Sequence, residues 1–415
     1  MSIIIRNIDC LVTCKGSHLK KGSEMMEAGI IQNGYVVIEN DEILVVGEGE
    51  GYKEYIKGDT EIIDGTGKTV TPGLIDCHTH VVYAGSRENE LPLKLKKVGY
   101  IEILKSGGGI LSSVRKTRAA SKEQLKEEAK TRLDVMLAHG TTTVESKSGY
   151  ALDLENEVKM LEVNRELNEE HSIDIVSTFL GAHAIPEEYK ENREKYIDIL
   201  INDMIPHIAE NNLAEYIDVF CEKGVYTIDE SRKILNAGKE KGLKAKIHAD
   251  EVVSIGGAEL AGELKADSAE HLVAVSDEGI KALADNNVVA VILPCTSFYL
   301  MLNHFAPARK MIEYNVGVAL STDSNPGTCP TESLQQVMTF ACFGMNMFPE
   351  EIINAMTINA ACAINREKTI GSIEKGKKAD IAIFNSKNLN YLMYHFGTNA
   401  ISKVIKNGEV VVDIK

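Results

Sequence analysis

The stretch that decides the fold is Thr71-Pro72-Gly73-Leu74-Ile75-Asp76-Cys77-His78-Thr79-His80. A Pro-Gly turn opens it, an apolar run follows, and two histidines one residue apart close it. Side chains alternate faces along a strand, so His78 and His80 point the same way. Two imidazoles side by side at a strand end make half of a metal site, and the rest of the chain must supply the other half.

Downstream, the 415-residue chain alternates apolar runs with amphipathic helices. Ser121 and Gln124 form a capping-box pattern, behind which Leu125, Ala129, Leu133 and Leu137 share one helical face until Gly140. Thr227 with Glu230 repeats the pattern, and Gly242 ends that helix. Eight runs read as buried strands: 73–80, 141–145, 173–180, 215–220, 243–248, 266–271, 288–293 and 316–321. Eight strands mostly separated by helices predict an α/β fold, the (β/α)8 barrel of the TIM type, over 71–365. The flanks, 1–70 and 366–415, are β-rich instead. They carry Ile3-Ile4-Ile5, Tyr35-Val36-Val37-Ile38, Ile43-Leu44-Val45-Val46 and Asp380-Ile381-Ala382-Ile383-Phe384, then a closing hairpin turned at Asn407-Gly408.

Barrels of this kind build their active sites at the C-terminal strand ends. Those positions hold His78 and His80 after the first strand, His183 after the third, His248 at the fifth, His271 at the sixth and Asp323 after the eighth. One histidine there would ordinarily be structural. Five of the eleven, with an aspartate, point to a metal. Expected ligands are His78, His80, His248 and Asp323, a set suited to one divalent ion, Zn2+ or Fe2+. Glu251, three residues beyond His248, is close enough to act on a bound substrate. The other histidines (His18, His139, His171, His207, His304 and His395) read as surface or structural. The long excursion over 81–120 carries Arg87 and Gly107-Gly108-Gly109, and loops of that length commonly line a site. The glycine triplet lacks the context of a phosphate loop and reads as a turn.

A formal net charge of -16 argues against nucleic acid or an anionic membrane as partner. Eight cysteines without a C-x-x-C pair read as reduced, buried thiols. No apolar run approaches the roughly 20 residues of a membrane span. Ile3-Ile4-Ile5 is broken by Arg6 and Asp9 too soon for a signal peptide. A cytoplasmic protein is expected.

With these residues in view, the sequence resembles the imidazolonepropionase family of metal-dependent amidohydrolases. The superfamily pattern is Pro-Gly-hydrophobic-hydrophobic-Asp-x-His-x-His with a late Ser321-Thr322-Asp323. The narrower likeness rests on Gly85-Ser86-Arg87-Glu88, Glu145-Ser146-Lys147-Ser148-Gly149-Tyr150, Phe179-Leu180-Gly181-Ala182-His183-Ala184, His248-Ala249-Asp250-Glu251, Ala269-Glu270-His271-Leu272 and Ser324-Asn325-Pro326-Gly327-Thr328. The resemblance implies that the two flanks pair into a small composite β-sandwich. It also implies hydrolysis of the ring amide of 4-imidazolone-5-propanoate to N-formimidoyl-L-glutamate in histidine degradation, by a homodimer. In that reading Asp323 takes the proton of the attacking water, His271 polarises the ring carbonyl, and Glu251 holds a ring N–H. Arg87 and Tyr150 anchor the carboxylate, and His183, Asn325, Gly327 and Thr328 surround the substrate. Another cyclic-amide hydrolase or a nucleobase-type deaminase would share fold and metal. A catalytically silent relative would be expected to have lost ligands, and here all four stand.

Overall fold

The structure, a computed structural model, describes residues 2–96 and 108–414. Gly107 of the glycine triplet lies outside the described residues. Gly109, with φ +73, caps the helix Ile110–Ala119.

Eight parallel strands stand side by side in chain order: β1 (Leu74–Thr79), β2 (Thr141–Lys147), β3 (Asp174–Ala182), β4 (Tyr216–Cys221), β5 (Lys244–Ala249), β6 (Ser268–His271), β7 (Val289–Ile292) and β8 (Val318–Leu320). Each falls on a stretch expected from sequence, with ends moved by up to a few residues. Thr79 bridges Ser324 in parallel, bringing β1 beside β8 and closing the barrel. Side chains complete that seam. The Asp76 carboxylate on β1 accepts from Ser321 Oγ, from Thr322 N at 2.9 Å and from Thr322 Oγ1 at 2.7 Å.

The helices form as their caps and faces dictate. Ser121 caps Lys122–Ala138 by accepting from Gln124 N, and Leu125, Ala129, Leu133 and Leu137 are buried against the strands. The reciprocal half of the expected capping box is not made, because the Gln124 amide donates to Glu128 instead. At Thr227 and Glu230 both halves form.

The flanks meet in one unit. Strand Thr69–Pro72 pairs antiparallel with Ile381–Phe384, so residues before and after the barrel share a six-stranded sheet. Four N-terminal strands form a second sheet, ordered Glu42–Glu48, Gly34–Glu39, Ser2–Ile8, Thr60–Asp64. Ile3, Ile5, Val36 and Ile38 from that sheet bury against Leu11, Val70, Ile381 and Ile405 from the other, a two-sheet sandwich. The last strands, Ile401–Lys406 and Glu409–Asp413, turn at Asn407 (φ +49) and Gly408 (φ +75), the left-handed pair of a two-residue hairpin. Among the described residues no helix is long and apolar enough to cross a membrane. All eight cysteines are free thiols, six of them buried.

Candidate metal centre and active site

Two side chains of β1's end meet β5 and the β8 turn at the mouth of the barrel. His78 and His80, two residues apart, have ring centroids 5.6 Å apart, and His78 and His248 are 4.7 Å apart. His78 Nε2 lies 3.4 Å and His80 Nε2 3.7 Å from the same atom, Asp323 Oδ1. His78 Nε2 is buried and has no hydrogen-bond partner among the described residues. Ligands held at about 2.0–2.1 Å around a tetrahedral ion stand roughly 3.3–3.4 Å from each other, which is close to these spacings. The donor set therefore fits a divalent ion.

The outer nitrogens explain the ring orientations. His78 Nδ1 sits 2.6 Å from Glu270 Oε2 and His248 Nδ1 3.0 Å from Asp218 Oδ2, all fully or nearly fully buried. A carboxylate behind Nδ1 leaves Nε2 unprotonated and aimed forward, the arrangement of carboxylate–histidine–metal triads. Asp323 Oδ2 accepts from Thr296 Oγ1 at 2.6 Å, which fixes the carboxylate that faces both imidazoles.

His271 and Asp323 are held in left-handed backbone conformations, φ +72 and +58. Such φ values cost non-glycine residues about 1–3 kcal/mol each and gather where a side chain must be aimed. His271 reaches the centre from β6, with its ring 5.5 Å from His78 and 5.1 Å from His248. Its Nε2 is 3.7 Å from Glu251 Oε2. Burial lowers His271 to about 3, leaving it neutral. Burial, aided by the Asp323 and Glu222 carboxylates, pushes Glu251 up to about 8, leaving it protonated near neutral pH. The segment carrying Glu251 is braced by Glu222 Oε2, which accepts from Val252 N at 2.9 Å.

A cavity of about 520 Å3 opens beside these groups, lined among others by His80, Arg87, Tyr150, His183, His248, Glu251, His271, Asp323, Asn325 and Thr328. His183 stacks on His80 at 5.2 Å and 14°, and its Nδ1 donates to Gly149 O at 3.1 Å, so its Nε2 is the acceptor. Burial lowers His183 to about 3. Tyr150, nearly fully buried, packs edge-on against both His80 and His183. Its loop hangs on one carboxylate: Glu157 accepts from the backbone N–H groups of Gly149, Ala151 and Leu152.

Three expected substrate contacts have more structural duties than their sequence implied. Arg87 donates from Nε and Nη2 to the two Glu90 oxygens, at 2.9 and 2.8 Å. Gly327 does not line the cavity. A Cβ there would fall 2.0 Å from Arg87 Nη1, so the glycine makes room for the guanidinium. The Asn325 amide is spent on its own loop, accepting from Gly327 N and Thr328 N at 2.8 Å each and donating to Asp323 O at 2.7 Å. The six remaining histidines are each exposed or partly exposed, none of them buried.

Sequence reading gave no role of their own to Asp76, Glu90, Lys147, Glu157, Asp218, Glu270 and Thr296, although Asp76, Lys147 and Glu270 lie in the segments it quoted. A signal existed for several of them. Barrel strands covered on both faces are ordinarily apolar runs, so the alternating charges of Glu145-Ser146-Lys147, Lys246-Ile247-His248 and Glu270 mark an interior network.

The comparisons with known proteins agree with this geometry. Residues 69–411 match the family model described as Amidohydrolase family. The imidazolonepropionase of Alkaliphilus oremlandii is 56% identical, over 100% of this chain and 98% of that protein. That of Treponema denticola is 54% identical over 92% of each. Among solved structures, the guanine deaminase of E. coli superposes with a TM-score of 0.75 at 15% identity, covering 100% of both chains. A zinc-bound adenosine deaminase of Xanthomonas campestris gives 0.72 at 15% identity, over 99% of this chain and 93% of that one. The last two speak for the fold alone. The chain belongs to the amidohydrolase family and, within it, to the imidazolonepropionases.

Proposed function

We propose that this protein hydrolyses the ring amide of 4-imidazolone-5-propanoate to N-formimidoyl-L-glutamate, a step of histidine degradation. The observation that carries the reading is one cavity in which a divalent-ion donor set, a neutral imidazole, a buried carboxyl and an arginine converge. His78, His80, His248 and Asp323 would hold the ion, Zn2+ or Fe2+. When bound, such an ion supplies the acidity that makes water a nucleophile near neutral pH.

The chain's own residues carry the rest. Asp323, fixed by Thr296, accepts the proton of the attacking water. His271, neutral, donates an N–H toward the ring carbonyl oxygen as negative charge develops on it. Glu251 lies on the same side and, in its protonated form, hands a proton to the departing ring nitrogen. Arg87, aligned by Glu90, pairs with the propanoate carboxylate, and the hydroxyl of Tyr150 adds a second contact. His183 offers its Nε2 as an acceptor for a ring N–H. Asn325, Gly327 and Thr328 shape the wall around Arg87.

The chain divides in this reading into a barrel, 71–365, and a composite β unit, 1–70 with 366–415. It acts in the cytoplasm as a homodimer. Supporting an assembly are the exposed rings of Phe343 (60%), Phe396 (62%) and Tyr394 (73%), more apolar surface than a lone subunit needs.

Turnover of imidazolone propanoate by metal-quantified protein tests the function. Loss of ring absorbance scaling with bound metal is expected. Ammonia release from an aminopurine, with no turnover of imidazolone propanoate, would assign the cavity to a deaminase instead.

A further inference from the structure

Of the segment Glu145–Tyr150, the proposed chemistry uses only Tyr150. Lys147 does not reach the cavity. Its Nζ stands 2.9 Å from Glu145 Oε1, 2.8 Å from Asp218 Oδ2 and 2.9 Å from Glu270 Oε2, with all four side chains fully buried inside the barrel. Two of those oxygens, Asp218 Oδ2 and Glu270 Oε2, are the very atoms behind His248 Nδ1 and His78 Nδ1. One ammonium thus ties together the carboxylates that orient two of the expected ligands.

The charge around it is unbalanced. Three carboxylates surround a single ammonium, and among the described residues the other ammonium beside them, that of Lys246, is 3.5 Å from Glu270 Oε1 on the far side. Glu145 Oε2 is buried with no hydrogen-bond partner among the described residues. Burial without full pairing is costly for ionised groups, so something cationic has to stand among them. Oxygen atoms of three carboxylates converging on one point are the donor set of a hard divalent ion. Here a lysine fills that point.

We propose that Lys147 is a positioning residue whose ammonium occupies the place of a second cation behind the metal centre, aligning His78 and His248 and confining the centre to one ion. This rests on the metal-centre reading above. Alternate strands explain how the place arises: β2 supplies Glu145 and Lys147, β4 supplies Asp218, and β6 supplies Glu270, each buried inside the barrel.

The test replaces Lys147 by Ala, which removes the charge and leaves space at the point of convergence. Metal-stripped wild type and Lys147→Ala are loaded with Mn2+, passed through gel filtration and analysed for retained ions. The expected result is one Mn2+ per wild-type chain and two per variant chain. A variant that retains a single ion with a Kd within twofold of wild type overturns the inference. If Lys147→Ala folds only with more than one equivalent of Mn2+ present, that result supports it. A variant that stays unfolded in excess Mn2+ overturns it. A wild-type chain that retains no ion removes the metal centre itself and this inference with it.

Discussion

At the residue scale, the cavity assigns separable jobs to side chains that lie within a few ångströms of one another. Arg87 is not among the expected metal ligands, so Arg87→Ala should leave the metal content at the wild-type level. Loss of charge-assisted hydrogen bonds worth about 1.5–3 kcal/mol should raise KM roughly ten- to a hundredfold. A normal KM for imidazolone propanoate would remove Arg87 as the anchor. His271→Ala should lower kcat by about a hundredfold or more, the size expected of a missing oxyanion donor, and steady-state kinetics at saturating substrate decide it. Glu251 gives the pH dependence. Burial raises its carboxyl to about 8, so the proton-donating form predominates below that pH and is lost above it. The rate should therefore fall on the alkaline side with a limb near pH 8, and a rate that stays flat well above that value would take the proton transfer away from Glu251.

At the element scale, the turn after β8 and the loop after β2 are rigid supports rather than mere connections. Gly327 has an ordinary backbone conformation, yet any side chain there would meet the Arg87 guanidinium at 2.0 Å. Gly327→Ala should fold normally, because the group it displaces is the end of a flexible side chain, and should raise KM as Arg87→Ala does. An unchanged KM would mean that the guanidinium sits elsewhere when substrate binds. The loop that presents Tyr150 depends on Glu157, which is wholly buried and answers three backbone N–H groups. Glu157→Ala strands those donors, and denaturant unfolding should show a loss of about 2–4 kcal/mol, at one to three for each unsatisfied group less whatever water recovers.

The eight strands of the barrel were legible because they are short runs, most of them apolar, set between helical segments and turn residues, and the strand-end histidines because they close such runs at one end. The carboxylates behind the histidines were harder to see. Asp218 meets His248 from the adjacent strand and Glu270 meets His78 from across the barrel, and neither the register nor the closure that brings them together is written in one strand alone. Thr296 likewise lies 27 residues before the aspartate it holds. Asn325 and Gly327 were noticed as part of a recognisable segment, but their work of shaping a loop and clearing space for Arg87 exists only in three dimensions.

At the scale of the whole molecule, the expected metal ligands come from β1, β5 and the turn after β8, so one ion would join both sides of the barrel's seam. Binding to the folded chain alone stabilises it by mass action, about 2.7 kcal/mol at a hundred times the Kd. Chelation should lower Tm and abolish activity, and restoring the ion should return both. A Tm indifferent to chelation would mean that the ion is not held by the folded barrel.

The strand pairing between Thr69–Pro72 and Ile381–Phe384 bears on how the protein is made. Gly73, the residue that starts the barrel, donates its N–H to the carbonyl of Asp380 at 2.8 Å. When Asp323 leaves the ribosome every expected metal ligand has been synthesised, as has Cys10–Val12 on one side of the strand leading into the barrel, but its partner on the other side has not. Contacts between segments roughly 300 residues apart form late and slow folding. The strand leading into the nascent barrel must therefore wait for one of its two partners, and a message truncated shortly after Asp323 would yield a chain with its expected ligands in place and its β unit unfinished.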